Sequence, residues 1–168
     1  MAIECCRLDT PIGALRVFAR DGAVCLITFG DHRDAVAALA KRFPGDEFVE
    51  RSNPAGAASA LREYFAGRLS VLDSVRADPG GTPFQAAVWR ALRGIPAGST
   101  ITYADLARRI GVPRAVRAVG AANGANPVPI VIPCHRVIGA NGTLVGYGGG
   151  MKKKEWLLRH EGADRRLF

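Results

Sequence analysis

Four consecutive residues, Asp78-Pro79-Gly80-Gly81, cut the 168-residue chain into two parts of similar length. Proline lacks a backbone donor and fixes its own φ, and each glycine loses more conformational entropy on ordering than any other residue. Neither a helix nor a strand is expected to run through such a segment. Charge changes at the same point. Residues 1–79 carry 10 Lys/Arg against 11 Asp/Glu, a balance of −1, whereas residues 80–168 carry 13 against 4, a balance of +9. The formal net charge of +8 therefore belongs to the second part. At 48% apolar and 23% charged the chain is not of the disordered class. The reading is two domains, 1–79 and 80–168, the first a near-neutral scaffold and the second basic. A basic surface suits a polyanionic partner such as nucleic acid, although solubility alone is a blander cause.

The first part reads as a small α/β unit. Apolar stretches at Ile3–Leu8, Ala14–Ala19 and Ala23–Phe29 are separated by turn residues, which predicts a strand meander. Asp31 caps a predicted helix to Phe43 that sets Val36, Leu39, Ala40 and Phe43 on one face. A strand at Phe48–Glu50 follows, then a helix from Pro54 that buries Leu61, Tyr64 and Phe65 and ends at Gly67. Cys5, Cys6 and Cys25 lack a CxxC pair or regular spacing and read as small core hydrophobes in a reducing compartment. Without a signal peptide or a membrane-length apolar run, the expected location is the cytoplasm.

The second part is helical and sharply punctuated. Thr82-Pro83-Phe84-Gln85 is a capping box with proline at the first helical position, opening a helix whose stripe is Phe84, Ala87, Val88, Ala91 and Leu92. Thr102 and Asp105 form a second capping box for a helix Tyr103–Ile110 that stops at Gly111, and Pro113 restarts the chain as a third helix to Ala122. Two short helices about a tight turn suit a helix-turn-helix or an ordinary helical hairpin. In the third helix Arg114 and Arg117 lie three apart among Ala118, Gly120 and Ala121. Such a low-relief basic face can approach a phosphate backbone, and small residues equally suit helix packing.

Cys134-His135 is where chemistry is expected. A thiolate is a strong nucleophile, and an imidazole can take its proton. In a regular strand these neighbours would point to opposite faces, so the pair can cooperate only in a turn, which Pro133 favours. An inert buried cysteine beside a surface histidine is the simpler alternative for the dipeptide alone. Downstream, Gly146-Tyr147-Gly148-Gly149-Gly150 allows close backbone approach to a ligand. A helix Met151–Glu161 then places the Glu161 carboxylate at a C-terminus, where the helix dipole disfavours it unless it has a cationic or imidazole partner such as His135. Lys152–Lys154 read as a solvated face.

Taken together, PCHRVIG, the upstream RAVGAANGANPVPI and the downstream GYGGG followed by KKKEWLLRHEG resemble the O6-alkylguanine-DNA alkyltransferases, in order and over residues 80–162. The resemblance implies an α+β chain: a small ribonuclease-H-like α/β domain, then a mainly helical domain with a (winged) helix-turn-helix and the active-site cysteine. It implies that Cys134 accepts an alkyl group from O6 of a damaged guanine. His135, acting through a water, is the base that forms the thiolate, and Glu161 orients its imidazole. Asn126 braces the active-site turn, and Tyr103 crowds the target phosphate and gives a proton to the leaving guanine. Arg117 fills the gap left by the extruded base, with Arg114, Ala118, Gly120 and Ala121 on the same DNA face. Tyr147, Gly148, Gly149, Val137, Pro129 and Trp89 line the base pocket.

The implied partner is double-stranded DNA containing O6-alkylguanine, engaged through the minor groove by a monomer. Each molecule acts once, because a thioether is not readily hydrolysed. No cofactor and no metal are expected. Gly148 departs from relatives that carry a hydroxyl there, which leaves the range of alkyl groups open, as it does O4-alkylthymine and cooperativity along DNA. The alternative is a non-catalytic helix-turn-helix protein that binds alkylated DNA as a damage flag, but such a protein would lack the acceptor Cys134.

Overall fold

The computed structural model describes residues 1–30 and 33–164. It divides into two compact units, Met1–Pro79 and Gly80–Phe168. None of the helices among the described residues is long and apolar enough to cross a membrane.

In the first unit, strands β1 (Ala2–Thr10), β2 (Gly13–Arg20), β3 (Ala23–Phe29) and β4 (Glu47–Glu50) form one sheet in the order β3-β2-β1-β4. β1, β2 and β3 pair antiparallel, as two tight turns require, while β4 joins β1 in parallel after helix α1 (Arg33–Arg42) has crossed over. Ile3, Cys5, Phe18, Cys25, Leu26 and Leu39 make one buried cluster, with Val36 and Phe43 packed against it. Cys6, on the opposite face of β1, is buried too. The cysteines are therefore core residues, all of them free thiols. The expected cap, Asp31, lies outside the described residues. Helix α2 (Ala57–Phe65) starts later than the sequence suggests. Pro54–Gly56 is a separate 3-10 turn, because Ala55 and Gly56 take positive φ and interrupt the helical path. Tyr64 is fully buried, whereas Phe65 is only half-buried.

In the second unit, helix α3 (Pro83–Leu92) opens with the reciprocal Thr82/Gln85 capping box and buries Val88, Trp89 and Leu92. Phe84 and Ala87 stay half-buried. Strand β5 (Ile101–Thr102) leads into helix α4 (Tyr103–Arg109) through the Thr102/Asp105 box. Helix α5 (Val116–Gly124) begins three residues after Pro113. Arg114 thus lies in the connecting turn and not on the helix, while Arg117 occupies the first helical turn. The turn is held by Ala115 N–H bonding to Val112 O at 2.9 Å, a bond that ties the segment down before α5 begins. α5 packs on α3 and α4. Strand β6 (Val137–Ile138) pairs in parallel with β5, and helix α6 (Met151–His160) packs on the 3-10 turn Cys134–Arg136.

Candidate active site

Residues 126–136 are a backbone built to end on a turn. Asn126 uses both ends of its amide: Oδ1 accepts from Val128 N–H at 3.0 Å and Nδ2 donates to Ile132 O at 2.8 Å. Ile132 N–H returns to Val128 O at 2.9 Å, and Cys134 N–H to Ile132 O at 2.8 Å. At the apex Ile130, a β-branched residue, sits at φ 74°, a conformation that costs about 1–3 kcal/mol and persists only when its surroundings impose it. Pro133 then feeds the single 3-10 turn that carries Cys134, His135 and Arg136. The strand objection does not apply here, since in a turn adjacent side chains need not oppose each other.

All three side chains of that turn are buried, His135 completely. His135 Nε2 bonds Glu161 Oε2 at 2.8 Å, and its Nδ1 is buried with no hydrogen-bond partner among the described residues. Burial pushes the imidazole below its ordinary value despite the carboxylate, so it is neutral near pH 7, with Nε2–H donating and Nδ1 left as an acceptor. Glu161 also binds Arg136, whose Nε reaches Oε1 at 2.8 Å and Nη2 reaches Oε2 at 2.9 Å, while Nη1 donates to Ile95 O at 2.6 Å. Burial opposes ionisation of Glu161, but the hydrogen bonds and charges of Arg136 and His135 outweigh it and hold the carboxyl far below its usual range. The macrodipole cost at the end of α6 is met by a guanidinium fork, which the sequence reading did not assign. A basic residue directly after Cys-His was the available signal.

The Cys134 thiol is pushed up by burial, while the nearby Asn126 amide and the Lys154 charge pull it down. In this closed arrangement it holds its proton, and a base is needed to make it a nucleophile. Lys154 is the main correction to the sequence reading. It is fully buried, not solvated, and Nζ donates to Val137 O and Val145 O, each at 2.7 Å, and to Gly146 O at 3.2 Å. Burial brings its ammonium down to about 8. The helical period explains the difference: Lys154 shares the inner face of α6 with Leu157 and Leu158, whereas Lys152 points out.

The remaining expected residues divide by position. Tyr103, the first residue of α4, donates to Val145 O at 3.4 Å and lies close enough to Cys134 that a thiolate there would disfavour ionisation of its hydroxyl. The Tyr147 ring stands edge-on to His135 at 6.5 Å, with its hydroxyl pushed well up by burial. Val137 has its carbonyl taken by Lys154. Gly148 and Gly149 follow in the loop, and a Cβ on Gly148 would meet open space. Pro129 is buried within the 126–132 turn, where it bridges Ile132. Trp89 is buried in α3, its Nε1–H bonding Ala122 O at 2.8 Å. Arg114, Arg117, Ala118 and Ala121 are exposed, and Gly120 is half-buried beside Tyr103. No group of three or more metal-ligating side chains occurs among the described residues.

Comparison with known proteins places this site in context. The family model described as "6-O-methylguanine DNA methyltransferase, DNA binding domain" matches residues 83–163. A methylated-DNA–protein-cysteine methyltransferase of Salmonella typhimurium is 51% identical over 160 residues, covering 93% of this chain and 94% of that one. The crystal structure of Mycobacterium tuberculosis O6-methylguanine methyltransferase superposes with a TM-score of 0.79 at 37% identity, over 96% of this chain and 92% of that one. The same organism's protein in complex with DNA gives 0.79 at 38% identity, over 96% and 93%.

Proposed function

The chain belongs to the methylated-DNA–protein-cysteine methyltransferase family, and on that premise we propose that it repairs DNA by moving the alkyl group of O6-alkylguanine onto Cys134. The observation that carries this is the neutral, buried His135, held at Nε2 by Glu161 and open at Nδ1, directly beside a protonated thiol.

The reaction runs as follows. A water joined to Nδ1 relays the thiol proton to His135, and Glu161 supports the imidazolium that results. The thiolate attacks the alkyl carbon in line. The S–C bond forms as the C–O6 bond breaks, its electron pair stays with the guanine, and Tyr103 gives the guanine a proton. The product thioether ends the cycle, so each molecule works once, without cofactor or metal.

An O6-alkyl group is inaccessible inside stacked duplex DNA, so the nucleotide leaves the helix at a cost of a few kcal/mol, roughly. The α4–turn–α5 pair acts as the helix-turn-helix. Its Ala/Gly-rich face enters the minor groove, Arg117 occupies the vacated space, and Arg114 meets phosphate. Asn126 braces the nucleophile's turn, and Tyr147, Gly148, Gly149, Val137, Pro129 and Trp89 shape the base pocket. Residues 1–79 serve as a ribonuclease-H-like scaffold, and the protein works as a cytoplasmic monomer. A protein that only flags damage would have no use for a histidine-oriented thiol, which favours transfer.

Intact and peptide mass measurement after mixing with a duplex containing O6-methylguanine tests the proposal. One methyl per chain on Cys134, absent in Cys134→Ala, is the expected result. Binding with no mass change, or turnover beyond one equivalent, contradicts it.

A further inference from the structure

Asn123 has no role in the chemistry above, yet its amide is buried at the nucleophile. It is 5% exposed in α5. Nδ2 makes only a long 3.4 Å bond to the carbonyl oxygen of Cys134, and Oδ1 is buried without accepting any hydrogen bond among the described residues. An unsatisfied buried oxygen costs about 1–3 kcal/mol, and such a group calls for an explanation in function or in another state. Its neighbour is Tyr103. Gly120 and Asn123 are three apart and share one face of α5. A Cβ on Gly120 would stand 3.7 and 3.9 Å from Cδ1 and Cε1 of Tyr103, so the ring lies against this face. The Asn123 amide acts on the tyrosine hydroxyl, favouring its ionised form against burial. Its bond to Val145 O is long, and Val145 belongs to an exposed part of the 139–150 loop.

We propose that Asn123 is a positioning residue for the transfer, an inference that rests on Tyr103 being the proton donor: its amide holds the Tyr103 hydroxyl beside Cys134 and donates N–H to the phenolate oxygen formed when that proton leaves. The balance is complete. The negative charge starts on sulfur, passes to the guanine as C–O6 breaks, and ends on the Tyr103 oxygen when its proton goes to the base. Burial and the nearby Cys134 disfavour a phenolate at this position, and the Asn123 amide opposes them. Arg117 lies three residues before Gly120, so the helix that engages DNA also carries the amide that steadies the acid.

Asn123→Leu removes the amide at similar volume, and Asn123→Met is a second apolar replacement should the first not fold. Single-turnover methyl transfer from an O6-methylguanine duplex is measured for both, with Tyr103 present and with Tyr103→Phe. Losing a hydrogen bond to a charged oxygen predicts a rate about 10–100-fold lower with Tyr103 present, and no further loss on top of Tyr103→Phe. An unchanged rate, or equal losses in both backgrounds, overturns the role of Asn123. If Tyr103→Phe itself transfers at the full rate, the reading of Tyr103 as the acid fails instead. Ultraviolet titration of the phenolate lost in Tyr103→Phe gives a separate readout. It should form at higher pH without the amide, and an unshifted curve also overturns the proposal.

Discussion

At the scale of single residues, the site depends on charges that are buried and fully engaged. Arg136, Glu161 and His135 share one carboxylate, and breaking such a set leaves an uncompensated charge in a dry interior. Arg136→Met should lower stability by about 3–5 kcal/mol in urea unfolding and abolish transfer, because the carboxylate that orients His135 loses its fork. Glu161 also sets a pH dependence. Its folded carboxyl lies below the unfolded value of 4.5, so its contribution is present above 4.5 and is lost as pH falls toward the folded value. The stability gap between the wild-type chain and Glu161→Gln should be full near pH 7 and narrow steadily below about pH 4.5. Lys154 behaves differently. Lys154→Met takes the donor away from three carbonyls, that of the buried Val137 among them, so it should lose about 1–3 kcal/mol in urea unfolding. It loses the latch to Val145 and Gly146, and amide exchange over residues 145–150 should speed up. Methyl transfer should slow by about tenfold or more, the worth of a charge-assisted hydrogen bond.

At the scale of elements, short helices deliver the site residues, and their ends matter more than their interiors. Thr102 Oγ1 accepts from Asp105 N–H at 3.0 Å and fixes the start of α4, where Tyr103 is the first residue. Thr102→Ala should cost about 1 kcal/mol in thermal or urea unfolding and slow transfer beyond that loss, since the cap also sets the direction of Tyr103. Capping boxes and stop glycines were legible because both are local devices. The third helix was placed too early because proline at a first helical position is common, yet Pro113 lies in a turn closed by the Ala115–Val112 bond. Gly98 shows the converse. It takes φ 88°, and an added Cβ would stand 2.9 Å from the Glu161 carbonyl oxygen, a close approach that no pattern around residue 98 announces.

At the scale of the whole molecule, charge is divided between the surface and the buried site. Arg109, Arg114 and Arg117 are exposed, while Arg136 and Lys154 are buried at the site. DNA affinity should therefore fall steeply with salt, and Arg114→Ala should reduce the slope of log K against log salt by about 1. Lys154→Met should leave that slope unchanged, because a charge held by three carbonyls contacts no phosphate. The order of strands and helices along the chain, the capping boxes and the break at residues 78–81 follow from the sequence by itself, since each depends on residues a few positions apart, whereas Cys134-His135 taken alone left an inert cysteine as the simpler reading. The tertiary structure alone decided that Lys154 is buried, that Arg136 clamps Glu161 across 25 residues, and that Asn123 faces Tyr103. Those pairings join segments brought together only by burial of the second unit's core, and burial is what turns an ordinary surface charge into one that must be answered.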